Sequence, residues 1–160
     1  MCTYCNATGS GYISEQRYAS AKCRIDIAKS HFHVAKKHLK KGDDIAALAY
    51  MQCSMNQASR AMLELKEECD EKHIDVMFAF EKMYRQANLF SRDDFLFLHE
   101  LFCVFDKIVR GDFFAWPRES FSEMLKKIEI FIRNAEKILS VYYICTDKVI
   151  ENSIGGKDHE

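Results

Sequence analysis

Proline is almost missing from this chain. Pro117 is the single one in 160 residues, and glycine occurs only six times. A sequence so poor in turn formers cannot supply the close succession of tight turns that sandwiches and barrels need, so long helices are its natural product. No uncharged run reaches the roughly 18 to 20 residues of a membrane-spanning helix. The opening stretch MCTYCNATGSGYISEQRY also lacks a charged region followed by an apolar one, so no export signal is expected. Charge of one sign is not in excess either: 23 basic and 24 acidic side chains leave a net charge of −1. No global field would steer such a chain onto nucleic acid or an anionic membrane. The seven cysteines are odd in number and lack the spacing of a disulfide framework, which predicts reduced thiols and a soluble cytoplasmic protein.

What is present is amphipathic helix. Tyr18, Ala21, Ile25, Ala28, Phe32, Ala35 and Leu39 recur in steps of three and four, predicting a first helix over 14–41 with Gly42 as its cap. Asp43 or Asp44 caps a second helix. Its apolar positions Ile45, Ala46, Ala49, Tyr50, Cys53, Ala58, Ala61, Met62 and Leu65 spread over a wide arc, as expected of a central helix touched by several neighbours. A third, shorter helix carries Ile74, Met77, Phe78 and Tyr84. Ser120 with Glu123 reads as a capping box for a last helix, along which Met124, Ile128, Phe131, Ala135, Ile138, Tyr142 and Val149 repeat as far as Glu151. The expected architecture is all-α: an up-and-down bundle of about five helices over residues 14–151, with a flexible segment at 1–13 and a disordered tail at 152–160.

The stretch RDDFLFLHE opens the fourth helix, with Ser91 as cap and Asp93 and Asp94 at the positive end of the dipole. At about 100° per residue from Arg92, the side chains Phe95, Leu98, Leu101, Phe102, Phe105, Ile108 and Val109 fall between roughly 160° and 300°. His99 and Asp106 return to within about 40° of Arg92. Arg92, His99 and Asp106 therefore form one stripe opposite the core. Arginine to hold a phosphate and histidine to move a proton are the residue types that metal-free RNA cleavage needs. Seven residues of helix nevertheless separate them by about 10 Å of rise.

Three segments, AKSHFHVAKKHLKKGDDIAALAYMQCSMNQASRAML, HIDVMFAFEKMYRQANLF and FCVFDKIVRGDFFAWPRESFSEMLKKIEIFIRNAEKIL, resemble in order the HEPN domain, the helical bundle named for higher eukaryotes and prokaryotes nucleotide-binding. The likeness runs from about residue 18 to 141 and is closest to a non-nuclease-like or degenerate branch. It implies a homodimer encoded beside a minimal nucleotidyltransferase partner, as in toxin–antitoxin pairs, with nucleotide or RNA binding. Nuclease members carry an arginine, a polar residue after it and a histidine a turn or two on, usually followed by tyrosine. Arg92, Asp93 and His99 match that spelling, and no tyrosine follows His99. The family motif lies at the end of the helix leading into the last joint, near DKIVRGDFF rather than at that helix's start, and in the non-nuclease-like branch this region carries an arginine shortly before an acid–aromatic pair. Here Asp112 and Phe113 stand for the acid–aromatic pair, with Lys107 and Arg110 as neighbouring candidates for phosphate.

Three readings follow. The first is a HEPN-type module without catalysis. The second is a metal-independent endoribonuclease using Arg92 and His99. The third is an adaptor that buries Phe113, Phe114 and Trp116 against another protein. Lysines at the end of the first helix, with Lys126, Lys127 and Arg133, form a candidate phosphate patch. Cys2 and Cys5 spell half a zinc ribbon without its second pair, so neither metal nor cofactor is expected. No Glu-x-x-His occurs, as a di-iron bundle would need, and the alanine rhythm does not recur at a solenoid period.

Overall fold

The computed structural model describes residues 12–66, 76–84, 90–112 and 118–145. Their order is β1 (Tyr12–Ser14), α1 (Glu15–Lys41), α2 (Asp44–Leu65), α3 (Val76–Tyr84), α4 (Arg92–Arg110), α5 (Arg118–Ser140) and β2 (Tyr143–Cys145). The described residues form an all-α bundle of five helices. Helices α1 and α2 form an antiparallel pair across a two-residue joint. Gly42 takes the left-handed conformation, φ 77°, which glycine adopts without steric cost. Its N–H and that of Asp43 then donate to the Leu39 and His38 carbonyls at 3.1 and 3.0 Å, closing the end of α1.

Helix α2 packs against α1, α3, α4 and α5, the central position that its wide apolar arc predicts. Small side chains let α1 come close: Ala28 and Ala58 are fully buried, and the buried Ser54 hydroxyl donates across to the Ala28 carbonyl at 2.7 Å. The stripe of α1 is as expected, with Ala21, Ile25, Ala28, Phe32 and Ala35 buried. A second focus of the core is aromatic. The Phe80 ring lies 5.1 Å from Tyr84, 5.0 Å from Phe90, 5.6 Å from Phe95 and 5.4 Å from Phe131, centroid to centroid. These tilted and edge-on contacts join α3, α4 and α5 within the range where aromatic pairs attract beyond their burial.

The structure departs from the periodicity reading in several places. On α2 the buried set also includes Ala47, Leu48, Met51 and Met55, whereas Ile45, in the first turn, is exposed. On α3 Val76 and Phe80 are buried beside the expected Tyr84, and Phe78 is 66 % exposed. On α4 Phe97 and Val104 are buried and Val109 is exposed, so the core-facing arc is shifted round the helix from the expected one, with Phe97 under Lys127 of α5. Ile74 and Val149 lie outside the described residues. Ser120 and Glu123 are not a capping box, since α5 already begins at Arg118 and both sit within its first turns.

The last helix stops at Ser140, short of Glu151. The Ser140 hydroxyl donates to the Lys137 carbonyl at 2.7 Å, and the next two N–H groups, of Val141 and Tyr142, turn back to Ile138 and Leu139. Beyond them Tyr143–Cys145, a β-branched and aromatic stretch, extends and pairs in parallel with Tyr12–Ser14, Ile13 opposite Ile144. The pairing takes in the end of the segment expected to be flexible and buries Ile13 in the core. This three-residue ladder is the sole sheet among the described residues. None of the described helices is long and apolar enough to cross a membrane.

Candidate functional site

Helix α4 is held at both ends by its own sequence. The Ser91 hydroxyl accepts from the Asp94 N–H at 3.2 Å while the Asp94 carboxylate accepts from the Ser91 N–H at 2.7 Å, a reciprocal capping box. At the other end Gly111, φ 78°, closes the helix, its N–H and that of Asp112 donating to the Ile108 and Lys107 carbonyls at 3.1 and 2.9 Å. Burial of Phe95, Phe97, Leu98, Leu101 and Val104 sets the roll of the helix about its axis. The opposite side must then face water. Arg92, His99 and Asp106 are all exposed, as the sequence predicts.

Arg92 and His99 line one wall of an open groove of about 460 Å³. Leu96, Phe95, Phe90 and Ser91 complete the α4 side, and Glu81 of α3 faces it. The distance along the helix therefore does not separate the two residues into different sites: they share a cleft because α3 supplies the other wall. His99 is held by its neighbour one turn on, with Nδ1 3.5 Å from the Cys103 Sγ. Thiol and ring nitrogen exchange donor and acceptor roles with the imidazole tautomer, and Nε2 is the remaining ring nitrogen. Leu96 and Cys103 were missed as members of the stripe, although the same helical wheel puts them at about 40° and 20° from Arg92. Glu81 could not be found that way. Only the packing of α3 on α4 brings it there.

The second candidate pair behaves differently. Arg110 and Lys107 are both exposed in the last turn of α4, but the Arg110 guanidinium is 3.0 Å from Asp106, one turn back on the same helix. That exposed ion pair contributes little to stability, about 0.3–0.5 kcal/mol, and places a carboxylate where a phosphate would have to bind. Asp112 is exposed beyond the cap, while Phe113, Phe114 and Trp116 lie outside the described residues.

The candidate phosphate patch is divided between two grooves. Lys29, His33 and Lys36 of α1 meet Arg133 of α5 along a groove of about 300 Å³ that Glu129 and Glu136 also line. Lys29 pairs there with Glu136, Arg133 lies 3.9 Å from Glu129, and Lys36 sits 4.4 Å above the Phe32 ring. Lys127 belongs instead to the α4–α5 side, 5.2 Å over the Phe97 ring and 3.8 Å from Glu123. Carboxylates interleave the cations in both places. Among the described residues no three His, Cys, Asp or Glu side chains converge as metal ligands. His31 and His38 pack instead on Tyr50, at 5.6 and 5.4 Å between ring centres, and Cys2 and Cys5 lie outside the described residues. Burial raises the Cys53 thiol above its ordinary pKa, which disfavours its reactive thiolate form.

No protein-family model matches the chain, and no curated protein sequence is significantly similar to it.

Proposed function

We propose that this protein is a HEPN-type helical module that acts as a homodimer and as the partner of a minimal nucleotidyltransferase, in the manner of a toxin–antitoxin pair in the cytoplasm, with α4 as its docking helix. The observation that carries this reading is the lining of the α3–α4 groove. It combines one cation, Arg92, one acid, Glu81, and the apolar Phe95 and Leu96, with Leu96 56 % exposed. A balanced, partly apolar lining suits a protein surface. A polyanion would favour a run of uncompensated cations. A helical bundle is also the fold class that the HEPN resemblance implies.

A second reading, metal-independent RNA cleavage, is favoured by one specific feature: Arg92 and His99 share that groove. In it the guanidinium would stabilise charge on the phosphate while the imidazole accepts the proton of the attacking ribose hydroxyl. The Glu81 carboxylate in the same groove opposes it by repelling the phosphate.

The two separate experimentally. The chain is co-expressed with the product of the neighbouring gene, which this reading requires to be a minimal nucleotidyltransferase, and complex formation and mass in solution are measured for the wild type and for Leu96→Asp. Loss of partner or dimer in a variant that keeps wild-type helicity is the expected result. Full retention of both, or a wild type that is monomeric and partnerless, overturns the module reading. RNA cleavage that disappears in both Arg92→Ala and His99→Ala would establish the second.

A further inference from the structure

The α1–α5 groove shares no residue with the α3–α4 groove, and the docking reading makes no use of it. We propose that it is a binding site for an acid-rich amphipathic helix of another protein, one with a carboxylate at every third or fourth position. Charge is already segregated in the sequence. From Ile27 to Gly42 the chain holds five of its 23 basic side chains and none of its 24 acidic ones. Lys29, His33, Lys36 and Lys40 recur there in steps of four, three and four, which puts them within about 40° of Lys29 on one stripe of α1. The stripe offers one basic side chain per helical turn, about every 5.4 Å.

Tertiary packing turns the stripe into a groove. The pairing of β1 with β2 brings the start of α1 to the end of α5, so the two helices run antiparallel. Lys29, His33 and Lys36 then line the furrow of about 300 Å³ between them, with the buried Phe32 and Ile132 also in its lining. On the outer side of α5, one turn before Arg133, Ile130 is 51 % exposed. Not every cation is neutralised within the protein. Lys29 pairs with Glu136, but Arg133 stands 3.9 Å from Glu129, beyond hydrogen-bonding distance. Lys36 is propped over the Phe32 ring, and neither it nor Lys40 has a carboxylate partner among the described residues. These three are left to attract an anion. The glutamates in the same walls decide which kind. A phosphate chain carries charge at every unit and would be repelled by Glu129 and Glu136. A helix matches the lysines turn for turn, keeps its acids away from the two glutamates and lays apolar side chains along Phe32, Ile132 and Ile130.

The probe is a fluorescein-labelled peptide of glutamate, leucine and alanine, about 18 residues or five helical turns long, with the glutamates on one face in steps of three and four. The full-length chain is titrated into it at about 50 and about 300 mM salt, and fluorescence anisotropy is recorded. Saturable binding that weakens at the higher salt is expected. Lys36→Glu should weaken it on the order of tenfold, since one attraction is lost and one repulsion gained. Lys82→Glu makes the same change in net charge at an exposed lysine of α3 and should alter affinity by less than about twofold. No saturable binding at the lower salt, or equal losses in the two variants, overturns the proposal. Inorganic tripolyphosphate that binds more tightly than the peptide and displaces it also overturns it, in favour of a phosphate site. Should Lys36→Glu lose helicity, Lys40→Glu decides, at an exposed position on the same stripe: affinity must fall, and an unchanged affinity overturns the proposal.

Discussion

The Tyr84 hydroxyl donates to the Met62 carbonyl at 2.8 Å, tying the end of α3 to α2 inside the core. Both residues are fully buried, so the phenol has no water to turn to if the bond is lost. Tyr84→Phe keeps the ring contacts with Phe80 and Phe90 and removes only the bond. The variant is expected to lose about 1–1.5 kcal/mol of unfolding free energy in urea titrations near neutral pH. Burial, and secondarily the neighbouring Tyr142, pushes the phenol pKa above its ordinary value near 10.0. The folded state therefore keeps a proton that the unfolded chain releases. The stability linked to it is fully present below about pH 10 and is lost as pH rises beyond that. The gap between wild type and Tyr84→Phe should thus narrow above pH 10, by up to about 1.4 kcal/mol per pH unit. A gap that widens with pH would contradict the assignment.

Two buried serines on α2 should respond in opposite directions. Ser54 donates to Ala28 across the α1–α2 interface, whereas the Ser59 hydroxyl is buried without a hydrogen-bond partner among the described residues. Ser54→Ala is expected to destabilise the protein by about 1 kcal/mol. Ser59→Ala is expected to leave stability unchanged or raise it by about 1 kcal/mol, since it removes a polar group whose burial is uncompensated. Thermal or chemical unfolding of the two variants side by side measures the difference.

The two caps of α4 should be separable from its outer stripe. Ser91→Ala removes the capping box and is expected to lower stability by about 1 kcal/mol. Gly111→Ala meets no steric obstacle, because nothing lies within 4 Å of an added Cβ, yet the left-handed φ of 78° is strained for alanine. A cost of about 1 kcal/mol is expected from that conformation alone. Nineteen residues of helix separate the sites, so the two effects should add in the double variant. Hydrogen exchange of the α4 amides should rise in both variants if the caps hold the wall that carries Arg92 and His99.

Much of this fold was legible in the residues. Scarce proline and glycine, the glycine-capped end of α1 and the three-and-four spacing of its alanines predict helices and their buried stripe, because each of these signals is local: backbone sterics and helical period act within a few residues. The stripe of Arg92, His99 and Asp106 was readable for the same reason. Where the reading failed, the deciding force came from elsewhere in the chain. Phe78 and Phe80 sit two apart on a short helix, and only the rings of Phe90, Phe95 and Phe131 decide which of them goes inside. Val141 to Cys145 carries enough apolar residues to prolong α5, and it extends because β1 is there to pair with it.

By itself, then, the amino-acid order determined the helical class, the caps at Gly42, Asp43 and Ser91 and which side of α4 turns outward, since hydrogen-bonded backbone and apolar periodicity need no distant partner. The tertiary structure alone decided that Arg92 and His99 share a groove. Their common cleft exists because packing of the aromatic core brings Glu81 on α3 opposite them. No spacing along α4 encodes where Glu81 lies.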